Sequence, residues 1–353
     1  MNKHAHTAFR SPLLAAAAAA LLLGACGRVP VQESPAVSFT LPACPPTKAT
    51  PYTGASSTPG QVAMPTDVSL GVVSYTRSGG TGNWSPYTTP SVIRADCDLV
   101  RTGESGSASG KWLPSPRILW PAAGTDIRYF GYAPFVDGDD DGTDDHVAVT
   151  ASVAAEPAPV ISFTVPDECA DQIDLLVTDE ASSSRAYAGD PPVTAIDVPL
   201  GFVHALTGIR FRVPEGFSIS QISVSDVYGS GTLTLGGSTL SWSPDKSSTG
   251  SYSIASPTLK TDPTDGRYLI VDDQYTLLLL PQTLEGDALI SVTCSDGTVT
   301  RTVNAYLEGL VWRPGRLIVY TVAMADSDPT LRFQEFYGMS QDHENIDISQ
   351  SWD

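Results

Sequence analysis

The chain has 353 residues, with 20 Lys or Arg against 39 Asp or Glu and a formal net charge of −19. So acidic a chain excludes nucleic acid, since nothing could neutralise a row of phosphates, and it excludes direct attraction to an anionic membrane surface. With 30 Gly, 28 Pro and 41% hydrophobic residues, it is rich in turns, able to build real cores, long enough for two ordinary domains, and charged in a way that suits solubility outside a cell.

The N-terminal "MNKHAHTAFR" carries Lys3 and Arg10, and the short apolar run "SPLLAAAAAALLL" follows it. That run is too short for a spanning helix and reads as a signal peptide over residues 1–25. Leu23-Gly24-Ala25-Cys26 resembles the bacterial lipobox, in which a peptidase cuts before the Cys and its sulfur takes a diacylglycerol. The competing reading is an ordinary secretion signal with a coincidental Cys. The expectation is a mature chain that starts at Cys26, held to the outer membrane by lipid alone, with residues 26–35 as a tether. Cys44, Cys97, Cys169 and Cys294 remain. An exported compartment permits disulfides, and all three pairings stay open. No CxxC or Cys/His spacing points to zinc. Cys294 lies on one face of the alternating "DALISVTC", where a buried thiol is as good a reading as a disulfide.

In "AVSFTLP", Val37, Phe39 and Leu41 alternate and predict a half-buried strand. The Pro-, Thr-, Ser- and Gly-dense "ACPPTKATPYTGASSTPGQ" reads as an exposed segment. "DVSLGVVSY", "KWL", "RILW" and "TDIRYFGYAPF" predict strands. After an acidic loop come "HVAVTASV", "PVISFTV" and "QIDLLVT", and "DEASSSRAYAGDPP" reads as a loop or junction. In "PLGFVHALTGIRFRVPEG", residues Val203, Ala205, Thr207, Ile209, Phe211 and Val213 predict one long strand. The phase slips near Gln221-Ile222, which predicts a bulge. "YTLLLLPQ" is continuous, as a central strand would be. "SDG" joins "ALISVTC" to "TVTRTVNAYL" as a hairpin, and "VWRPGRLIVYTVAM" turns on Pro314-Gly315 into a last strand. The tail alternates at "TLRFQ", and again at Ile346, Ile348, Gln350 and Trp352. No segment holds a helical period. Many short strands at this spacing predict an all-β chain of antiparallel β-sandwiches.

"DGDDDGTDDH" places Asp137, Asp139, Asp141 and Asp145 at positions 1, 3, 5 and 9 of an EF-type loop, with Gly142 at position 6. Ala148 stands where the bidentate Glu should be, and strands rather than helices flank it. The loop reads as a solvated hairpin tip, with a weak calcium site as the alternative. No other cofactor is expected. His204 sits mid-strand and reads as structural. Ser182 to Ser184 have no motif partners. Trp112, Trp120, Trp242 and Trp312 read as core or strand-edge aromatics rather than a sugar platform. There is no GxSxG, HExxH or phosphate loop, so no enzyme is expected.

Several short patterns, taken in order, resemble the fimbrillin family of Bacteroidales. They are the lipobox at Cys26, "VSFT" then "TKAT", "LGVVSYT" then "RILWP", "IRYFGYAPF", "PLGFVHALTGIRFRV", "LLLLPQTL" and "VWRPGRLIVYTV". The resemblance implies two tandem transthyretin-like β-sandwich domains, expected at 36–190 and 191–326, with a tail at 327–353. It implies a surface lipoprotein that is a subunit or anchor of a type V pilus. For the stalk subunits of that family a trypsin-like protease cuts after a basic residue and releases the first strand, and the emptied groove accepts a strand from the next subunit. Partners would be other fimbrillin subunits by strand exchange, with a host or bacterial surface ligand. Lys48 is the candidate cleavage point, with an exposed loop lysine as the competing reading and Arg77 as a second candidate. Ile346, Ile348 and Trp352 mark the candidate donor strand, which could equally pair within its own chain. The alternative is a monomeric outer-membrane lipoprotein that binds glycan or host protein, which an exposed row of Trp and Tyr on one sheet face would favour.

Overall fold

The alternation in "AVSFTLP" becomes a real strand, β1 (Val37–Thr40), whose Val37 and Phe39 are buried. The computed structural model describes residues 35–41, 64, 67–100, 109–136, 146–178, 196–263, 265–325 and 328–337. Its first half continues through β2 (Leu70–Ser78), β3 (Ser85–Pro86), β4 (Val92–Val100), β5 (Ser109–Ser115), β6 (Thr125–Ala133), β7 (Val147–Thr150), β8 (Val160–Thr164), β9 (Leu176–Thr178), β10 (Ile196–Pro199) and β11 (Phe202–His204). Nine of these form one sheet in the order β10-β1-β5-β4-β2-β6-β9-β11, with β3 beside β2.

The central strands of this sheet read as nearly continuous apolar runs because both faces are covered. On β2, Leu70 and Val72 enter a smaller core with Phe39 and Trp112, while Val73 and Tyr75 enter the main core. β6 divides in the same way, Ile127 and Tyr129 on one side, Phe130 and Tyr132 on the other. Gly71 sits against the Tyr132 ring, where a Cβ would fall 2.0 Å from Cε1, so only glycine lets that ring lie flat on β2. "RILW" forms no extended strand. It makes a single bridge at Leu119, with Ile118 and Trp120 buried.

The second half runs through β12 (Thr207–Pro214), β13 (Ser218–Tyr228), β14 (Ser230–Thr234), β15 (Ser241–Pro244), β16 (Thr249–Ala255), β17 (Leu259–Thr261), β18 (Tyr268–Val271), β19 (Leu277–Leu279), β20 (Leu289–Ser295), β21 (Thr300–Tyr306), β22 (Arg316–Ala325) and β23 (Asp328–Tyr337). Three sheets hold them: β17-β18-β12-β22-β23 with β19 also on β12, then β16-β13-β20-β21, and β15-β14-β8-β7. The fold is all-β, and most pairs are antiparallel, but β1–β10 and β12–β22 run parallel.

The long strand expected across residues 203–213 is two strands. Phe202 and His204 point inward on β11, and Thr207, Ile209, Phe211 and Val213 do so on β12, so the phase flips at Ala205-Leu206. That break sends β11 to the first sheet and β12 to another. Residues 196–204, beyond the 190/191 boundary read from the sequence, pair into the first sheet, while β7 and β8 share a sheet with β14 and β15. The expected bulge lies between Ile219 and Gln221, and a second at Asp226 takes a positive φ of 59°. The "SDG" hairpin forms as read. Asp296 caps it by accepting hydrogen bonds from the backbone N–H groups of Thr298 and Val299, both at 2.8 Å.

Candidate functional site: the seat of the first strand

β1 is a short, early strand, yet it lies inside the sheet and not at its edge. On one side it pairs in parallel with β10, from Val37 opposite Ile196 to Thr40 opposite Pro199. On the other it meets β5, Phe39 opposite Trp112. The backbone continues the seat at both ends. Val37 N donates to Ile118 O at 2.9 Å, Trp120 N to Pro35 O at 2.9 Å, and Leu200 N to Thr40 O at 2.8 Å.

Side chains hold it further. Phe39 is fully buried and meets the Tyr129 ring edge-on, with centroids 5.3 Å apart. Trp112, Ile118, Val198 and Leu200 belong to the same core cluster. The Trp112 indole N–H donates to Val68 O at 3.0 Å, which fixes the ring. On the opposite face Asp197 of β10 accepts from Ser38 Oγ on β1 and from Lys111 Nζ on β5 at 2.6 Å. The Lys111 hydrogen bond, and then that of Ser38, holds the Asp197 carboxyl below the usual carboxylate range. One carboxylate therefore ties the three neighbouring strands together. If β1 departed, β5 and β10 would each face an open slot, with the Phe39 pocket empty and backbone donors and acceptors exposed.

At the chain's other end, β23 covers β22 along ten antiparallel pairs, from Arg316–Tyr337 to Ala325–Asp328. The first part of the tail is thus paired within its own chain. Cys26, Lys48, Asp137, Asp139, Asp141, Asp145, Ile346, Ile348 and Trp352 lie outside the described residues, as do Cys44 and Ser182 to Ser184. Arg77 lies on β2, bonded to Asp126 at 2.9 Å and stacked 4.6 Å over Trp84, so a protease would have to unpick the sheet to reach it. His204 is buried, with Nδ1 2.8 Å from Asp174 Oδ1. Trp112, Trp120 and Trp312 are core residues, and half-buried Trp242 donates to Ala205 O. Among the described residues no row of tryptophans faces solvent. Cys294 is a buried thiol and Cys97 a half-buried one, neither in a disulfide.

The sequence reading placed β1 but missed its seat. Trp112 was recognised only as an aromatic of the core, and Ser38, Lys111 and Asp197 were not singled out. The one local signal was the inward alternation of Val198 and Leu200, which marks a strand without naming its partner.

A family model described as fimbrillin-like matches residues 71–333. The crystal structure of a fimbrial protein from Bacteroides vulgatus is similar to this chain at a TM-score of 0.53 and 16% identity, covering 87% of this chain and 100% of that one. A protein from Bacteroides uniformis, named as a candidate cell adhesion protein, gives a TM-score of 0.44 at 13% identity, covering 86% and 97%. One from Bacteroides ovatus, similarly named, gives 0.43 at 14%, covering 88% and 99%. No curated protein matches the chain.

Proposed function

Since the chain belongs to the fimbrillin-like family, we propose that it is a lipid-anchored subunit or anchor of a type V pilus, assembled by β-strand addition. Members of this family are fimbrial and cell-adhesion proteins of the cell surface. In the finer reading, Cys26 carries the lipid, Lys48 is the processing point, and the groove left by β1 takes a strand from the next subunit. The tail around Ile346, Ile348 and Trp352 is the strand it offers in turn.

The observation that carries this reading is the setting of β1. It is an N-terminal strand inside a sheet, bonded on both sides, with Phe39 wholly buried. Such a strand can be replaced by another chain's strand that supplies the same backbone bonds and an apolar side chain for the Phe39 pocket. A head-to-tail exchange of this kind does not close on itself, so it propagates as a filament.

The test is the N-terminus of the protein purified from native cells, read by mass spectrometry. A start at lipid-modified Cys26 means that β1 is kept, the result expected of an anchor or of a monomeric lipoprotein, and association with filaments identifies the anchor. A start at Ala49, with the protein in filaments, identifies the polymerising subunit. An unlipidated monomer that keeps β1 and takes up no strand would overturn both forms of the reading.

A further inference from the structure

A cleft of about 640 Å³ opens where the ends of β6 and β9 face β16 and the 166–175 loop. Ala133, Leu176, Ile254 and Tyr275 give it an apolar lining, and Glu168 and Asp174 are among the residues around it. No Lys, Arg or His is among the described residues that line it. Asp174 is oriented by His204, whose Nδ1 lies 2.8 Å away. Glu168 is exposed and forms no ion pair among the described residues. The size suits a ligand of several residues' bulk. An apolar trough with one exposed acid and no lysine, arginine or histidine among its described lining residues favours an occupant with an apolar body and positive charge.

The wall at β16 narrows the choice. β16 is the outermost strand of its sheet, and its outer edge meets a neighbour among the described residues only at the bridge between Ser253 and Glu168. Ser253, Ile254 and Ala255 of that edge line the cleft. Beyond the Ser253 bridge, the strand edge leaves backbone N–H and C=O groups that an extended chain can pair with. We propose that this cleft binds an extended segment of a partner protein in which apolar and basic side chains alternate. The apolar side chains enter the trough, and a basic one meets exposed Glu168. The chain's charge of −19 draws such a partner in from a distance. The cleft shares Val68 with the seat of β1, where its carbonyl holds Trp112, but binding here does not require strand exchange there.

The probe is the peptide acetyl-(Val-Lys)4-amide, titrated calorimetrically into the full chain, with (Gly-Lys)4 and (Val-Glu)4 as controls. The expected result is saturable one-to-one binding by (Val-Lys)4 alone. Glu168→Gln should weaken it by about two- to fivefold, as loss of one exposed charge pair does. Ala255→Trp and Ala170→Trp, both at exposed positions on the lining, should fill the trough and weaken it by more than about tenfold through steric clash. Circular dichroism would establish that each variant keeps its β content. Equal binding of (Gly-Lys)4 would mean bulk electrostatic attraction and would overturn the proposal, as would unchanged affinity in both Trp variants. Displacement of the peptide by hexylamine at matched concentration would assign a small amphiphile instead and overturn the polypeptide reading.

Discussion

Phe39→Ala is the sharpest perturbation of the strand that the proposed function depends on. The ring is fully buried and lies edge-on to Tyr129 at 5.3 Å. Deleting a buried Phe loses its transfer energy and leaves a cavity, together about 3–5 kcal/mol. The edge-to-face contact is about 0.5–1.5 kcal/mol of that. β1 has only four residues, and Val37 is its other large buried side chain. If β1 docks as a separable element, the loss falls on docking alone. The undocked population should then rise by roughly 140- to 3700-fold, at a factor of ten for about each 1.4 kcal/mol. Hydrogen exchange read by mass spectrometry should show this as faster exchange in peptides covering 35–41, 109–115 and 196–200. Peptides from β13 and β20 should be unaffected, and the main thermal transition should barely move. Uniformly faster exchange, with the main transition lowered by the full amount, would mean that β1 folds and unfolds with the whole protein. That would refute the argument for a replaceable strand.

Asp197 ties β1 to β5 and β10, and its carboxyl is held low by the Lys111 and then the Ser38 hydrogen bond. A carboxyl whose folded pKa lies below its unfolded value contributes stability that is present above about pH 3.9 and lost as pH falls through the lowered value. Urea denaturation compared at pH 5.5 and pH 3 should therefore show an acid loss in the parent chain that is smaller in Asp197→Asn. Equal losses in the two would remove Asp197 from the account. In the second half, Arg212 meets Asp262 at 2.8 Å with side chains 13% and 4% exposed, and lies 4.6 Å from the Tyr268 ring centroid. Arg212→Met takes the guanidinium from a buried carboxylate and should cost about 3–5 kcal/mol in urea unfolding. Adding Asp262→Leu should restore most of it, and a single-variant loss under about 1 kcal/mol would contradict the assignment.

Legibility followed the range of the forces. Strands showed wherever one face or both were apolar, so β1, β2, β6, β8 and β20 stand where the alternation put them. The hairpin at Gly297 and the turn at Gly315 were readable because both residues take a positive φ, 86° and 70°, that glycine adopts without cost. The break between β11 and β12 was not. His204 and Thr207 are both buried, which needs a change of phase, but Val203 and Ala205 continue the later alternation and conceal it. The tail from residue 327 lies outside both expected domains, yet Asp328–Tyr337 lies along β22. Its short "TLRFQ" alternation could not show which edge was waiting for it.

By itself the sequence determined the β class, the positions of most strands and the family patterns, because side-chain alternation and turn chemistry are local. It also set the acid excess, 39 Asp or Glu against 20 Lys or Arg. Only the tertiary structure decided which strands meet. Ser38 and Asp197 are 159 residues apart along the chain and hydrogen-bonded in space, and β10 runs parallel to β1. Backbone hydrogen bonds are the same for every residue, so pairing is chosen by which apolar faces share a core. Phe39, Trp112 and Val198 share one, and that common burial places an N-terminal strand inside a sheet, between β10 and β5.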